Sequence, residues 1–556
     1  MLYKSLVELY QKLEATTKKL EKTRYIAEFL KQIKEKELNH ILCLIQGTVF
    51  PKWDQREIGF SSKLMLRAIA RAAGVNASVV EKKWKDIGDL GIVAEGLIEE
   101  KKQRTLAAKE LTTQKVFENI RKLAGLEGPG TIDRKISLVA ELLTSATPLE
   151  ARYIVRTILE EMRIGVAEGI VRDAIALAYS IDPKVIERAY DLLLDFGEVA
   201  QLAKKGTSTL EELSLAPGRP LQVMLAIRVE SIEEAFKALG KPAQFEVKLD
   251  GFRAQIHYDG KDAKLFTRRM ENVTKQFPEL LPILKKNVKA KSYIIDTELV
   301  GYDPKTKKYM PFQNISQRIK RKYGIIQMAK ELPVEINVFD LIYYNGKSLI
   351  KKPLKERRAL LEKIIKEVPR KIVLTRKLIT DDVKKAEKFY KEVLKEGFEG
   401  VMIKNINSAY VPGRRVGGWL KLKPIMETLD LVIIGAQWGE GKRSNWLSSF
   451  TLACKHGNKF LAIGKVGTGI KEKEGKLTFK ELTEQLKPYI IETKGKNVKI
   501  KPALVFEIAY EEIQKSPTYE SGFALRFPRV LRVRYDKSIK DVDTLERVKR
   551  LYEKQK

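Results

Sequence analysis

The sequence predicts a multidomain protein with an all-α domain first, a mixed α/β domain second and a small β-barrel last. Three observations carry this reading: the length, a change of hydrophobic period near residue 216, and closely spaced strand-like runs after residue 424. At 556 residues the chain is too long for a single core, and about 150 residues per domain suggests three or four units.

The helical part opens with LYKSLVELYQKL, whose Leu2, Leu6, Leu9, Tyr10 and Leu13 trace one face of an amphipathic helix. KISLVAELL, EARYIVRTILEEM and EGIVRDAIALAYS repeat the pattern, separated by breakers such as GLEGPGT. APGRP at 216–220 is a natural linker. Beyond it, QFEVKL, SYIIDTELVGY, EINVFDLIYY and GVMIKN read as strands alternating with charged helices such as KPLKERRALLEKIIKEV. After KPIMETLD the runs LVIIGAQW, FTLACKH, FLAIGKVG, ALVFEIAYEEI and LRVRYD, with Gly-rich turns, suggest a small barrel. The expected domains are 1–215, 216–424 and 425–556.

The formal net charge is +33, from 105 Lys and Arg against 72 Asp and Glu. A soluble chain with such an excess is built to sit on a polyanion, and nucleic acid comes first. An anionic membrane is the rival surface, but the sequence has no apolar run of about 18 residues, no signal-peptide pattern and no lipidation motif. The expected location is therefore intracellular, cytoplasmic and nucleoid-associated in a prokaryote. Cys43 and Cys454 exclude a disulfide framework and a cysteine zinc module, and with His40, His257 and His456 as the histidines, His-rich metal sites are excluded too.

The chemistry concentrates in EVKLDGFRAQIH, residues 246–257. Lys248 lies in a strand pattern and Asp250-Gly251 is a turn signal, so the bland alternative is a hairpin carrying a solvated lysine. The rest of the chain argues otherwise. FTRRMENVT (266–274), IIDTELVGY (294–302), INVFDLIYY (336–344), FEGVMIKN (398–405), GRRVGGWLKLK (413–423) and RFPRVLRVRYDKS (526–538) place carboxylates and basic residues at strand ends in a fixed series.

With these motifs the chain resembles the ATP-dependent DNA ligases of the archaeal and eukaryotic replicative type, within the covalent nucleotidyltransferases. The likeness extends into the helical part through MRIGVAEGIVRDAIA (162–176) and into VMLAIRV. It implies a helical DNA-binding domain, a nucleotidyltransferase (adenylation) domain and an OB-fold barrel. It also implies ATP and Mg²⁺ as cofactors, nicked duplex DNA as partner, no membrane, and a monomer.

The resemblance assigns roles residue by residue. Lys248 is the nucleophile that takes AMP from ATP, passes it to the 5′-phosphate of a nick, and is followed by attack of the 3′-hydroxyl. Glu246 belongs to the neighbourhood that reads adenine, and Phe339 stacks on the base. Arg253 and Arg268 match phosphate and nick contacts, Glu298 a ribose and metal contact, and Glu399 a metal carboxylate. Arg415, with Arg414 as fallback, matches a phosphate-side arginine, and Lys421 and Lys423 the α-phosphate ligands. Arg526, Arg529, Asp536 and Lys537 match the barrel motif that closes over ATP in the first step. The residue types suit this chemistry. A neutral amine attacks phosphorus well, and a free lysine near pKa ~10.4 needs nearby cations such as Lys421, Lys423, Arg268 or Mg²⁺ to release its proton.

Two alternatives are a capping-type guanylyltransferase, which shares Lys-x-Asp-Gly but lacks a helical domain of this length, and a non-catalytic DNA-binding scaffold, which leaves the motif series unexplained. An NAD-dependent ligase would need a four-cysteine zinc module. The sequence departs from the commoner family pattern at Asn445 and Trp446. The resemblance also implies a sliding-clamp peptide within KKQRTLAAKELT (101–112), where Gln103 and Leu106 fit but Ala107 and Ala108 replace bulky anchors, with a solvated loop as the alternative. QKVFENI (114–120) is a poorer match.

Overall fold

In the computed structural model the described residues are 1–101, 110–319, 321, 323–413, 418–424, 427–439, 445–471 and 477–555. They form two compact units, Met1–Val393 with Phe398–Leu422, and Leu394–Gly397 with Lys423–Lys556. No helix among them is long and apolar enough to cross a membrane.

The first unit opens with helices running from Tyr3–Glu14 to Thr207–Glu211. In Tyr3–Glu14 the apolar stripe buries Leu6, Leu9, Tyr10 and Leu13 as expected, together with Tyr3 and Val7. Leu2 is 39% exposed, because the helix begins one residue after it. Local chemistry fixes several helix starts. Thr147 and Glu150 form a reciprocal capping box ahead of Pro148, and Asp182 accepts from the Lys184 N–H ahead of Pro183.

After the linker come β1 (Ile227–Val229), β2 (Ala243–Lys248), β3 (Phe252–Tyr258), β4 (Ala263–Thr267), β5 (Tyr293–Gly301), β6 (Val334–Tyr344), β7 (Lys347–Ser348), β8 (Ile372–Leu374), β9 (Lys377–Thr380), β10 (Gly400–Asn405) and β11 (Trp419–Leu422). They build two sheets, one in the order β1-β11-β10-β2-β9 and one in the order β4-β3-β5-β6-β7, with β8 beside β6. The hairpin alternative for residues 246–257 is therefore wrong. β2 pairs with β10 and β9, and β3 pairs with β4 and β5, so the Asp250-Gly251 turn carries the chain from one sheet into the other. An apolar cluster including Leu221, Met224, Phe339, Tyr410 and Trp419 joins the two sheets and the linker.

The alternation of β3 explains how the linker is held. Phe252, Ala254 and Ile256 face the core. Arg253, Gln255 and His257 point the other way, and each grips linker backbone. Arg253 Nη1 donates to Met224 O at 2.6 Å, Gln255 Oε1 accepts from Leu221 N–H at 3.0 Å, and His257 Nδ1 accepts from Gly218 N–H at 3.1 Å. An acceptor Nδ1 puts the imidazole proton on Nε2, which lies 3.1 Å from Gln255 Oε1. Helical residues reinforce the tether, since Arg219 pairs with Glu198 at 2.7 Å and lies over the Trp53 ring.

The second unit is rich in β-structure. Leu429–Trp438 lies between Leu447–His456 and Asn497–Ile500, and also pairs with Val505–Ala509, which in turn pairs with Arg529–Val533. Its core includes Leu431, Phe450, Leu452 and Phe506, with the helices Phe479–Leu486 and Leu545–Lys554 packed on it.

His257 yields an acid-stability prediction. Burial, helped by Lys264, pushes its pKa down to about 3. The unfolded chain binds this proton below about 6.5 and the folded chain does not, so folded stability is full above that pH and falls as pH drops toward about 3. His257→Gln keeps an acceptor for Gly218 but does not titrate. The stability advantage of the parent over this variant should shrink by about 1.4 kcal/mol per pH unit between about pH 6 and 4. Urea midpoints across that range check it, and a pH-independent difference would contradict the assignment.

Candidate active site

Lys248 ends β2, where the chain leaves one sheet for the other. Its ammonium is ion-paired with Glu399, and the Glu399 N–H donates to the Lys248 carbonyl at 3.2 Å. The pairing follows from register: Gly400, first in β10, lies opposite Lys248. Glu298 comes from the other sheet. Burial pushes its carboxyl up to about 8, while Lys248 and Arg253 pull it down and Glu399 and Asp296 push it further up.

The turn between the sheets explains its own composition. A Cβ on Gly251 would clash with the Leu299 carbonyl and lie 3.0 Å from Glu298 Cγ, so the close approach to β5 requires glycine. The Asp250 carboxylate accepts from the Phe312 N–H at 3.2 Å and ties the turn to the start of Phe312–Ile319.

Arg253 is held by carboxylate and backbone. Its Nε donates to Asp296 at 2.9 Å, and the fully buried Asp296 also accepts from the Tyr410 hydroxyl at 2.9 Å. Burial works against its charge, but Asp296, Tyr410 and Glu298 together raise its pKa. The guanidinium lies 5.4 Å from the Phe339 ring and 5.2 Å from that of Trp419. These two rings meet edge to face at 6.0 Å. Glu246 is 2% exposed, 2.6 Å from the Lys404 ammonium, and accepts from Gln244 Nε2 at 2.6 Å.

The structure thus brings Lys248, Glu298, Glu399 and Arg253 together, with Glu246 and Phe339 deeper between the sheets. Lys421 lies on β11 opposite Met402, which is opposite Glu246. Arg268 is in the exposed turn after β4. Lys423 pairs with Glu511 at 3.0 Å within the second unit. Arg415, Arg414, Gln103 and Leu106 lie outside the described residues.

The C-terminal residues fall into two groups. Arg526 pairs with Glu512 at 3.1 Å, and Arg529 is an exposed strand start. Asp536 and Lys537 join a cluster in which Arg534 bridges Asp430 (3.0 Å) and Asp536 (2.7 Å), and Lys537 also reaches Asp430 (2.6 Å). The hydrogen bond from Arg534 holds the Asp536 carboxyl down to about 2.

Sequence reasoning missed Gln244, Asp296, Lys404, Tyr410, Trp419 and Arg534. All but Gln244 and Tyr410 stood within the motifs themselves, Asp296, Lys404 and Trp419 as polar or aromatic residues in runs buried on both faces and Arg534 just after a strand with one face exposed. Such residues need a partner, and that need is the signal that could have found them.

Comparison with known proteins decides the family. The ATP dependent DNA ligase domain matches residues 223–423, the DNA ligase N terminus 2–176, and the ATP dependent DNA ligase C terminal region 443–537. A DNA ligase of Nanoarchaeum equitans is 53% identical, covering 100% of this chain and 99% of the relative. The chain belongs to the ATP-dependent DNA ligases. A DNA ligase of Archaeoglobus fulgidus is 46% identical over 100% of this chain and 99% of its own. The solved structure Pmar-Lig_PreS3, 16% identical, aligns with a TM-score of 0.60 over 95% of this chain and 99% of that one, and shows the shared fold. The protein is thus an enzyme that uses ATP to seal nicks in duplex DNA, and the ligase has a helical N-terminal region, a central domain and a sheet-rich C-terminal region.

Gly251→Ala should test the turn in this ligase. The added methyl must displace the Leu299 carbonyl or Glu298, a distortion of about 1–3 kcal/mol. Self-labelling with α-labelled ATP should fall by roughly five- to 150-fold, since 1.4 kcal/mol beside Lys248 is a factor of ten. Parental labelling would show that the turn tolerates a Cβ.

Proposed function

We propose that this ligase seals nicks through a lysyl-AMP intermediate on Lys248. The observation that carries the reading is the junction itself: a lysine at a sheet-to-sheet crossing, flanked by Glu399 from its own sheet and Glu298 from the other. Lys248 Nζ loses its proton and attacks the α-phosphorus, an N–P bond forms, and the bond to the pyrophosphate oxygen breaks. The 5′-phosphate of the nick then displaces Lys248 from the AMP phosphorus, and the 3′-hydroxyl displaces AMP to form the phosphodiester.

The remaining assignments belong to the same proposal. Glu246 and Phe339 form the base pocket, and Arg253 and Arg268 serve phosphates and the nick, with Arg253 preorganised by Asp296. Arg415, Lys421 and Lys423 serve the nucleotide phosphates. In the second unit Arg526, Arg529, Asp536 and Lys537 serve the first step, as the motif they match implies.

Among the described residues no cluster of three or more metal-ligating side chains occurs. The two carboxylates beside Lys248 nonetheless fit Mg²⁺, which takes one or two carboxylates together with waters and substrate phosphates. Glu298 and Glu399 would hold it, and bound there it would neutralise charge on the phosphates. Burial is the main cause of the raised Glu298 pKa, and the neighbouring Glu399 and Asp296 add to it.

At the level of domains, the proposal assigns 1–215 to DNA binding, 216–424 to a nucleotidyltransferase domain and 425–556 to an OB-fold. It includes a monomer, a nucleoid-associated intracellular setting and roles in replication, repair and recombination. It also keeps a sliding-clamp contact through Gln103 and Leu106, weak because the bulky anchors are missing.

Two experiments bear on this reading. Lys248→Arg keeps the charge but is effectively never deprotonated, so self-adenylation should be abolished while sealing of chemically pre-adenylated nicks remains measurable. Normal AMP labelling of the variant would remove Lys248 as the nucleophile. The excess of 105 basic over 72 acidic residues predicts sequence-independent DNA binding whose log-log salt slope is about −0.9 per phosphate contact. A flat response in a gel-shift salt series would defeat the electrostatic account.

A further inference from the structure

Lys404 is a buried cation that the lysyl-AMP chemistry does not use. It is 1% exposed and stands on β10 opposite Gln244, whereas Gly400, opposite Lys248, begins that strand. Four residues of strand separate the two positions, roughly 13 Å. Its ammonium is 2.6 Å from Glu246 Oε2, while Gln244 Nε2 donates to Glu246 Oε1 at 2.6 Å. The same ammonium lies 4.6 Å from the Phe339 ring centre and 4.3 Å from that of Trp419. Lys404 therefore joins the aromatic pair to the carboxylate, the two elements assigned to the base.

We propose that Lys404 is a positioning residue that sets base selectivity, by fixing the direction in which the Glu246 carboxylate accepts from the exocyclic amine of a 6-aminopurine and repels the carbonyl of a 6-oxopurine. The inference rests on the reading that the base lies between Glu246 and Phe339. Its chemistry is that of hydrogen-bond sense. A carboxylate accepts hydrogen bonds and cannot donate them. Without the Lys404 ammonium, 2.6 Å from Oε2, the Glu246 carboxylate loses the partner that holds it toward the base. Discrimination between the two purines would then weaken. Gln244 supports the same arrangement from the other oxygen, fixing the direction of the free lone pairs. Burial pulls the Lys404 pKa below the ordinary lysine value, while Glu246 and Asp340 act to keep the charge.

The test uses the full chain and its self-labelling with α-labelled ATP and α-labelled GTP, each over a concentration series, for the parent, Lys404→Met, Lys404→Arg and Gln244→Leu. A site built on one hydrogen-bond sense rejects the wrong partner by large factors, so Lys404→Met should narrow the ATP-to-GTP ratio of kcat/KM by about 100-fold. The change should appear mainly in KM for ATP, and Lys404→Arg should restore most of it. A parental ratio in Lys404→Met would overturn the proposal, as would equal losses with both nucleotides in Lys404→Met and Lys404→Arg, the mark of a structural role alone. Should Lys404→Met fail to give a cooperative thermal melt, Gln244→Leu decides, with a narrowed ratio expected and an unchanged one fatal. Failure of the underlying reading is distinguishable, because Phe339→Ala would then leave KM for both nucleotides parental, whereas failure of the inference alone leaves Phe339→Ala with a raised KM for both and the Lys404→Met ratio parental.

Discussion

The first unit depends on the crossing of the chain between its two sheets at residues 248–252. A lysine at the end of a strand within one sheet would be solvated and ordinary in its chemistry. At the crossing it meets Glu399 from its own sheet and the field of Glu298 from the other. That crossing is permitted by Gly251, whose missing side chain lets the turn lie against β5, and it is anchored by Asp250 on the start of the next helix. Lys248, Glu298 and Glu399 are thus positioned by backbone on rigid elements, which is what the proposed transfer at phosphorus requires.

Charge in the interior is handled by compensation. Arg253 with Asp296, Lys404 with Glu246 and Arg357 with Asp340 are buried or nearly buried pairs. Pairs of this kind are weak evidence for stability, because desolvation offsets much of the attraction, but losing one member leaves an uncompensated charge. Their value here is geometric. Arg253 fixes the linker at Met224 and lies against the same two aromatic rings that Lys404 approaches. The path out of the helical region and the aromatic pair between the sheets consequently share side chains.

The same economy of alternation appears in β3, where one face fills the core and the other zips down residues 218, 221 and 224 of the linker. In the second unit, Asp430 gathers Arg534 and Lys537, and Arg534 in turn holds Asp536. The final motif is therefore organised around an aspartate about a hundred residues earlier, at the start of Leu429–Trp438.

Periodicity by itself determined the helical, mixed and sheet-rich stretches, because a repeat of 3.6 or 2 reflects burial on one face whatever lies opposite. The ordered motifs, through the family resemblance they carry, pointed to Lys248, Glu298 and Glu399, and residue type suits those groups to attack phosphorus or bind a hard cation. Tertiary structure decided which groups meet. The Asp250-Gly251 signal is local and looks the same in a hairpin as in a crossing between sheets, so the strand pairing of β2 with β10 could not be read from it. Glu399 reaches Lys248 across 151 residues, and Lys404, Gln244, Asp296 and Tyr410 acquire their roles from register. The sequence names the residues that can carry charge, but a buried charge is defined by its partner, and strand pairing across distant segments is what selects that partner.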